Sequence, residues 1–241
     1  MKQIVTAVLV IFAIAACIKS PESNDELSSA SDPVLISHMD SICFFHNRVM
    51  DNIKLMTRSG ELSVNPPIHI FVDRVSDCTE DVLLSNDINY RVTTDQKNKM
   101  TESVSPFIFG LLDSNNDSMK QINNIIDSSF SKSCAQCLKQ LIETDFLIQP
   151  DISMISDDID KEIIEAFYSI GVTSKDYWKK IEPSGKINKT AYCADSLGGA
   201  LSILFSFSGP SAWFMLAVSN AWSAAVDNYH PTEPVEWTNC D

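Results

Sequence analysis

Positive charge is scarce in this chain. Its 241 residues carry 18 Lys and Arg against 32 Asp and Glu, a net charge of −14. A nucleic-acid binder needs a basic surface to neutralise phosphates, so that class is set aside. Signature motifs are missing too. None of the four histidines, His38, His46, His69 and His230, stands in H-E-x-x-H or beside a G-x-S-x-G turn. Neither a zinc protease nor a nucleophile-elbow hydrolase is nominated. No nucleotide-binding motif and no fixed-period repeat appears. The run from Asp113 to Asp117 lacks the spacing and closing Glu of an EF-hand and reads as a solvated loop. What remains is ordinary globular composition, 44% hydrophobic and 21% charged. The length allows a genuine core in one domain or two small ones.

The N-terminus reads as an address. Lys2 supplies a positive start, and Ile4 to Ala13 is almost wholly apolar. That stretch has the length of a signal h-region and is too short for a membrane span. Ile14-Ala15-Ala16-Cys17 follows, an aliphatic residue, two alanines and a cysteine. This order resembles the lipobox of bacterial lipoproteins. The resemblance implies cleavage after residue 16 and lipid on the Cys17 thiol. Residues 18 to 32 are rich in Ser, Asp, Glu and Pro, which cannot bury apolar surface and form a flexible tether. Ile18 is not Asp. By resemblance to Gram-negative lipoproteins this argues against inner-membrane retention. The acidic run Glu22 to Glu26 is similar to an export signal of surface lipoproteins in one bacterial group.

Of the seven cysteines, setting Cys17 aside leaves an even number: Cys43, Cys78, Cys134, Cys137, Cys193 and Cys240. In an oxidising compartment these are disulfide candidates, with the pairing left open. Cys134-Ala-Gln-Cys137 is the one C-x-x-C. A structural disulfide is its leading reading; a redox centre is the alternative. No second C-x-x-C or H-x-H completes a metal site, so no metal or other cofactor is expected.

Helical periodicity dominates the rest. Ser31-Asp32-Pro33 is a start signal, and Leu35, Met39, Ile42, His46, Val49, Ile53 and Met56 form one stripe that Ser59-Gly60 ends. His46 therefore sits on the apolar face, as a hydrogen-bonded core histidine. Asp40 is off the stripe and Asp51 points elsewhere, so neither is its evident partner. Residues 61 to 92 are read as helix or loop, with a short β hairpin near 68–93 as the other option, because Ile88, Tyr90 and Val92 alternate. A polar helix from Thr94 to about Ser103 is expected, interrupted at Pro106. Further helices follow over Met119–Phe130 and residues 133 to 147. The next starts at Ser156-Asp157-Asp158, carries Ile159, Ile163, Phe167 and Ile170, and ends at Gly171. A short helix then carries Tyr177 and Trp178.

From Ser196 to Val226 there is no charged residue, and Gly209-Pro210 breaks the run. Neither half reaches the roughly 20 residues of a transmembrane helix. Two short helices are expected, with Asp195 in the first turn of one. Gly198, Ser202 and Ser206 line one half, and Ala217, Ala221 and Ala225 the other, so two backbones can approach closely. A hairpin apolar nearly all round is either the centre of a core or membrane-inserted. It is similar to the membrane-active hairpins of class II bacteriocins. It also resembles the C-terminal segment of a group of uncharacterised secreted bacterial proteins that carry an early His-Asn pair followed by Asp, here His46-Asn47 and Asp51.

The expected architecture is mainly α: a compact multi-helix domain with a central apolar C-terminal hairpin. Its divisions are a signal peptide (1–16), a lipid-anchored tether (17–32), a helical domain (33–190) and the hairpin with its tail (191–241). The expected function is non-catalytic, a binding or structural protein of the bacterial envelope, at the outer membrane or cell surface. Its contacts are the membrane, through the lipid, and a protein partner. The acidic balance suits a basic one, or simply solubility. The alternatives are a bacteriocin-like toxin acting through residues 196–226 and a thiol oxidoreductase acting through Cys134 and Cys137.

Overall fold

The computed structural model describes residues 33–181, 188–204 and 212–231, with side chains from residue 41 onward. These residues contain eight helices and no strand. They are α1 (Pro33–Ser59), α2 (Ile68–Leu84), α3 (Thr94–Leu111), α4 (Ser118–Ser129), α5 (Lys132–Glu143), α6 (Asp158–Ile181), α7 (Lys189–Leu204) and α8 (Ala212–Asn228). The described residues belong to one compact unit.

Helix α1 follows its sequence signals. Ile42, Val49, Met50 and Ile53 are buried along its stripe, and Gly60 adopts φ +82° just beyond its end, the left-handed conformation that glycine supplies without strain. Side-chain caps start the next helices. Thr93 and Gln96 form a reciprocal capping box for α3, Asp117 accepts from the backbone of Met119 and Lys120, and Ser131 accepts from Cys134. Each satisfies backbone donors that the first turn leaves unpaired.

Four readings fail here. The β hairpin near 68–93 does not form. Residues 68–84 are helical, because Phe71, Val72, Val75, Cys78, Val82 and Leu83 recur at three- and four-residue spacing and all are buried. Residues 88–92 alternate without a strand to pair with. Nor does Pro106 end α3. The side-chain amide of Gln121 donates to the Pro106 carbonyl at 2.7 Å, and Gly110 leaves room for that side chain: a Cβ there would stand 2.1 Å from Gln121 Oε1. Gly171 also stays inside a helix. Its missing side chain is a notch for the Phe146 ring, which a Cβ would meet at 2.1 Å. Ile159, assigned to the buried face of α6, is exposed.

The apolar hairpin is the centre of the molecule. α7 packs most extensively against α8 and α6, and α8 also touches α1, α2 and α3. Every residue of α7 from Ala191 to Ile203 is buried, as is nearly all of α8. Helices apolar on every face require this position, since any surface placement would expose one face. Among the described residues no helix is long and apolar enough to cross a membrane.

Candidate functional site

Four helices each bring one polar side chain to a single buried point: His46 from α1, Ser174 from α6, Asp195 from α7 and Ser219 from α8. His46 Nε2 lies 2.7 Å from Asp195 Oδ1. The Ser174 hydroxyl donates to Asp195 Oδ2. The Ser219 hydroxyl donates to the Asp195 backbone carbonyl at 3.1 Å and reaches Oδ1 at 3.4 Å. His46 Nδ1 faces the Asn47 side-chain oxygen at 3.2 Å. Both ring nitrogens therefore meet oxygen acceptors, which suits an imidazolium donating twice to neutralise the carboxylate. Burial by itself pulls the His46 pKa down. The Asp195 charge, with hydrogen bonds to Asp195 and Asn47, outweighs burial, and the net direction is up.

A polar chain continues outward. The Tyr177 ring stands edge-on to His46, 6.2 Å between centroids, and its hydroxyl donates to Asp51 Oδ1 at 2.8 Å. Burial first, then this hydrogen bond, hold the phenol protonated. Lys54 Nζ sits 3.9 Å over the Trp178 ring and 3.3 Å from Asp227 Oδ2, pairing cation–π contact with an ion pair.

The order of this node differs from that of a hydrolytic triad. There the histidine stands between serine and aspartate and takes the serine proton. Here the aspartate stands between histidine and serine. His46 is 2% exposed and Asp195 0%. The node holds a charge inside the core and ties four helices at one point.

Asp195 was expected in a helix's first turn. Instead it sits well inside α7, which begins at Lys189. Sequence reasoning missed it as the partner of His46, although a charge in an otherwise apolar helix needs one. Of the hairpin residues singled out, Gly198, Ser202, Ala217, Ala221 and Ala225 are buried. Ser206, Gly209 and Pro210 lie outside the described residues, as do Cys17 and Cys240. Gly198 does not receive the alanine stripe. It receives the Trp222 side chain, whose Cδ1 and Cγ stand 2.8 Å from the position of a Cβ.

No disulfide joins two described residues, so the expected staples are not found among them. Cys43 Sγ faces the Ser169 carbonyl at 3.8 Å, and Cys78 Sγ faces Met56 Sδ at 3.2 Å. Cys78, Cys134 and Cys193 are buried thiols, behaving as small hydrophobes in separate parts of the core. Burial, with nearby carboxylates, pushes Cys78 up to about 11 and Cys134 up to about 12. Cys193 also reaches about 12, and Cys137 moves up. The thiolate is the reactive form, so these environments disfavour exchange chemistry. We expect the folded protein at pH 8 to react with Ellman's reagent far more slowly than a free cysteine does, and denaturant to restore the rate. Fast reaction of Cys137 in the folded state would revive a redox role.

An open pocket of about 210 Å³ lies between α5 and the chain that follows it. Cys137, Gln140, Leu141, Thr144, Ile148, Gln149, Pro150 and Asp151 line it. Its floor is rigid. Asp145 and Phe146 both adopt φ +57°, a conformation rare outside glycine. Contacts hold them there. Phe146 fills the Gly171 notch and stacks on Phe167 at 5.6 Å, while Lys175 and the Tyr192 hydroxyl hold the Asp145 carboxylate. These bonds keep that carboxyl below its ordinary range against the opposing effect of burial.

Comparison of the chain with protein-family models, with curated proteins and with solved structures finds no match.

Proposed function

We propose that this chain is a lipid-anchored protein of the bacterial envelope, at the outer membrane or cell surface, whose helical domain is a non-catalytic binding or structural module. The observation that supports this reading is the burial of the hairpin. Its apolar faces are used against α1, α3 and α6, so the domain has no need of a bilayer to cover them, and membrane attachment falls to Cys17. A toxin acting through residues 196–226 would first have to dismantle this core. Burial of Cys134 and the upward pKa shift of both Cys134 and the half-buried Cys137 weigh against the oxidoreductase alternative.

Metabolic labelling with a palmitate analogue in a bacterial host tests the anchor. The wild-type chain is expected to take up label and float with membranes. Cys17→Ser is expected to lose the label and leave the membrane fraction. An unlabelled wild-type chain, or a Cys17→Ser variant that still floats, would overturn the anchor and return attention to the hairpin.

A further inference from the structure

We propose that the segment from α5 to the start of α6 is a docking platform for a cationic amphipathic segment of a partner protein. Four of the large apolar side chains exposed on the molecule fall within this short stretch: Leu147 at 77%, Ile148 at 59%, Met154 at 88% and Ile159 at 55%. Ile148 also lines the pocket. Ile148 and its chain neighbour Leu147 stand exposed at the pocket, and Met154 and Ile159 follow within the next eleven positions; exposed large hydrophobes of this kind mark interaction surfaces.

Charge selects the occupant. Residues 140 to 160 contain Glu143, Asp145, Asp151, Asp157, Asp158 and Asp160, with no Lys, Arg or His. Lys175 pairs with Asp145 and Lys161 with Asp158, while Asp160 accepts from Ser131. Glu143, Asp151 and Asp157 have no cationic partner among the described residues, and Asp151 is itself part of the pocket wall. A segment that exposes apolar side chains among unpaired carboxylates, one of them in the pocket wall, repels acidic proteins and anionic bilayers. It complements a segment with apolar residues on one face and lysines or arginines beside them. One apolar side chain of that segment would enter the pocket, and its cations would meet the rim. The two left-handed residues at the root and the Phe146 anchor keep the platform in shape before the partner arrives, which lowers the entropy cost of binding.

This deepens the binding-module reading and rests on it, but not on the lipid: the labelling experiment and the one below fail separately. The full chain carrying Cys17→Ser is titrated into a labelled amphipathic peptide of leucine and lysine, followed by fluorescence anisotropy. The matching leucine–glutamate peptide is the control. The lysine peptide is expected to bind and the glutamate peptide not to. Combined Leu147→Ser, Ile148→Ser and Met154→Ser should weaken binding by about tenfold or more, with an unchanged melting temperature because all three are exposed. Combined Glu143→Gln, Asp151→Asn and Asp157→Asn should also weaken it and flatten its salt dependence. Equal binding by the serine variant would reduce the effect to net charge and overturn the proposal. So would equal binding of the glutamate peptide. Self-association lost in the serine variant would give the surface to a second copy, and vesicle binding lost in it would give the surface to lipid; either overturns a cationic protein partner.

Discussion

Asp195→Ala is expected to cost about 3–5 kcal/mol of stability, the range for breaking a buried ion pair from one side. For a domain of this size that lowers the melting temperature by roughly 10 °C. The size follows from what is left behind. His46 keeps a buried ring with no counter-charge, and the Ser174 hydroxyl loses its acceptor, while Ser219 keeps the backbone carbonyl of residue 195. His46→Gln should be nearly as damaging, and the double variant should cost much less than the sum, because both remove one interaction. The node also predicts a pH dependence. The folded pKa of His46 is raised above 6.5, so its contribution is fully present below pH 6.5 and is lost as pH rises through the folded value. Urea midpoints of wild type and His46→Gln should therefore converge as pH rises from about 6.5. A gap that stays constant or widens would show that His46 is neutral in the fold.

Trp222→Ala is expected to cost a similar amount, about 3–5 kcal/mol, by opening a cavity at the centre of the hairpin. Trp222 is fully buried. Its ring stacks on Phe107 at 4.8 Å, its indole N–H points to the Ser103 hydroxyl at 3.4 Å, and its inner edge covers Gly198. Gly198→Val presses from the other side. The new Cβ would stand 2.8 Å from the indole, and overpacking of this kind costs about 1–3 kcal/mol. Placing Gly198→Val beside Trp222→Leu should recover part of the loss, since the smaller side chain yields the space the valine needs. Chemical denaturation of the four proteins reads the result. A neutral Gly198→Val would mean that α7 and α8 do not meet at this contact.

How much of this could be read beforehand varies by element. Helix α1 was legible nearly to the residue, because its start signal, its stripe and its terminating Gly60 all lie within the segment. The central hairpin was legible for a related reason: two runs without charge can only be covered on every side. Helices α3 and α6 were misread at Pro106 and Gly171. The residue that uses the glycine, Phe146, lies far along the chain, and α3 runs through Pro106 while forgoing the one helical hydrogen bond that the missing N–H cannot make. The buried node shows the same limit. His46 on an apolar stripe and Asp195 among apolar neighbours were each conspicuous, and each lacked a local partner. Their separation of 149 positions hid the pairing.

By itself, then, the sequence determined a mainly helical domain, the faces of most helices and the need of the uncharged run 196–226 for apolar cover, since periodicity and charge act over a few turns; that protein rather than lipid covers α7 and α8 was left to the tertiary structure. Only the tertiary structure decided which buried charge meets which, which glycine is a notch and which a stop, and which apolar residues stay outside. Those outcomes depend on how helices cross, and the crossing is set jointly by side chains distant in sequence. Leu147, Ile148 and Met154 are as apolar as the residues of the core. They remain exposed because Asp145 and Phe146, anchored to α6 and α7, turn the chain away from it.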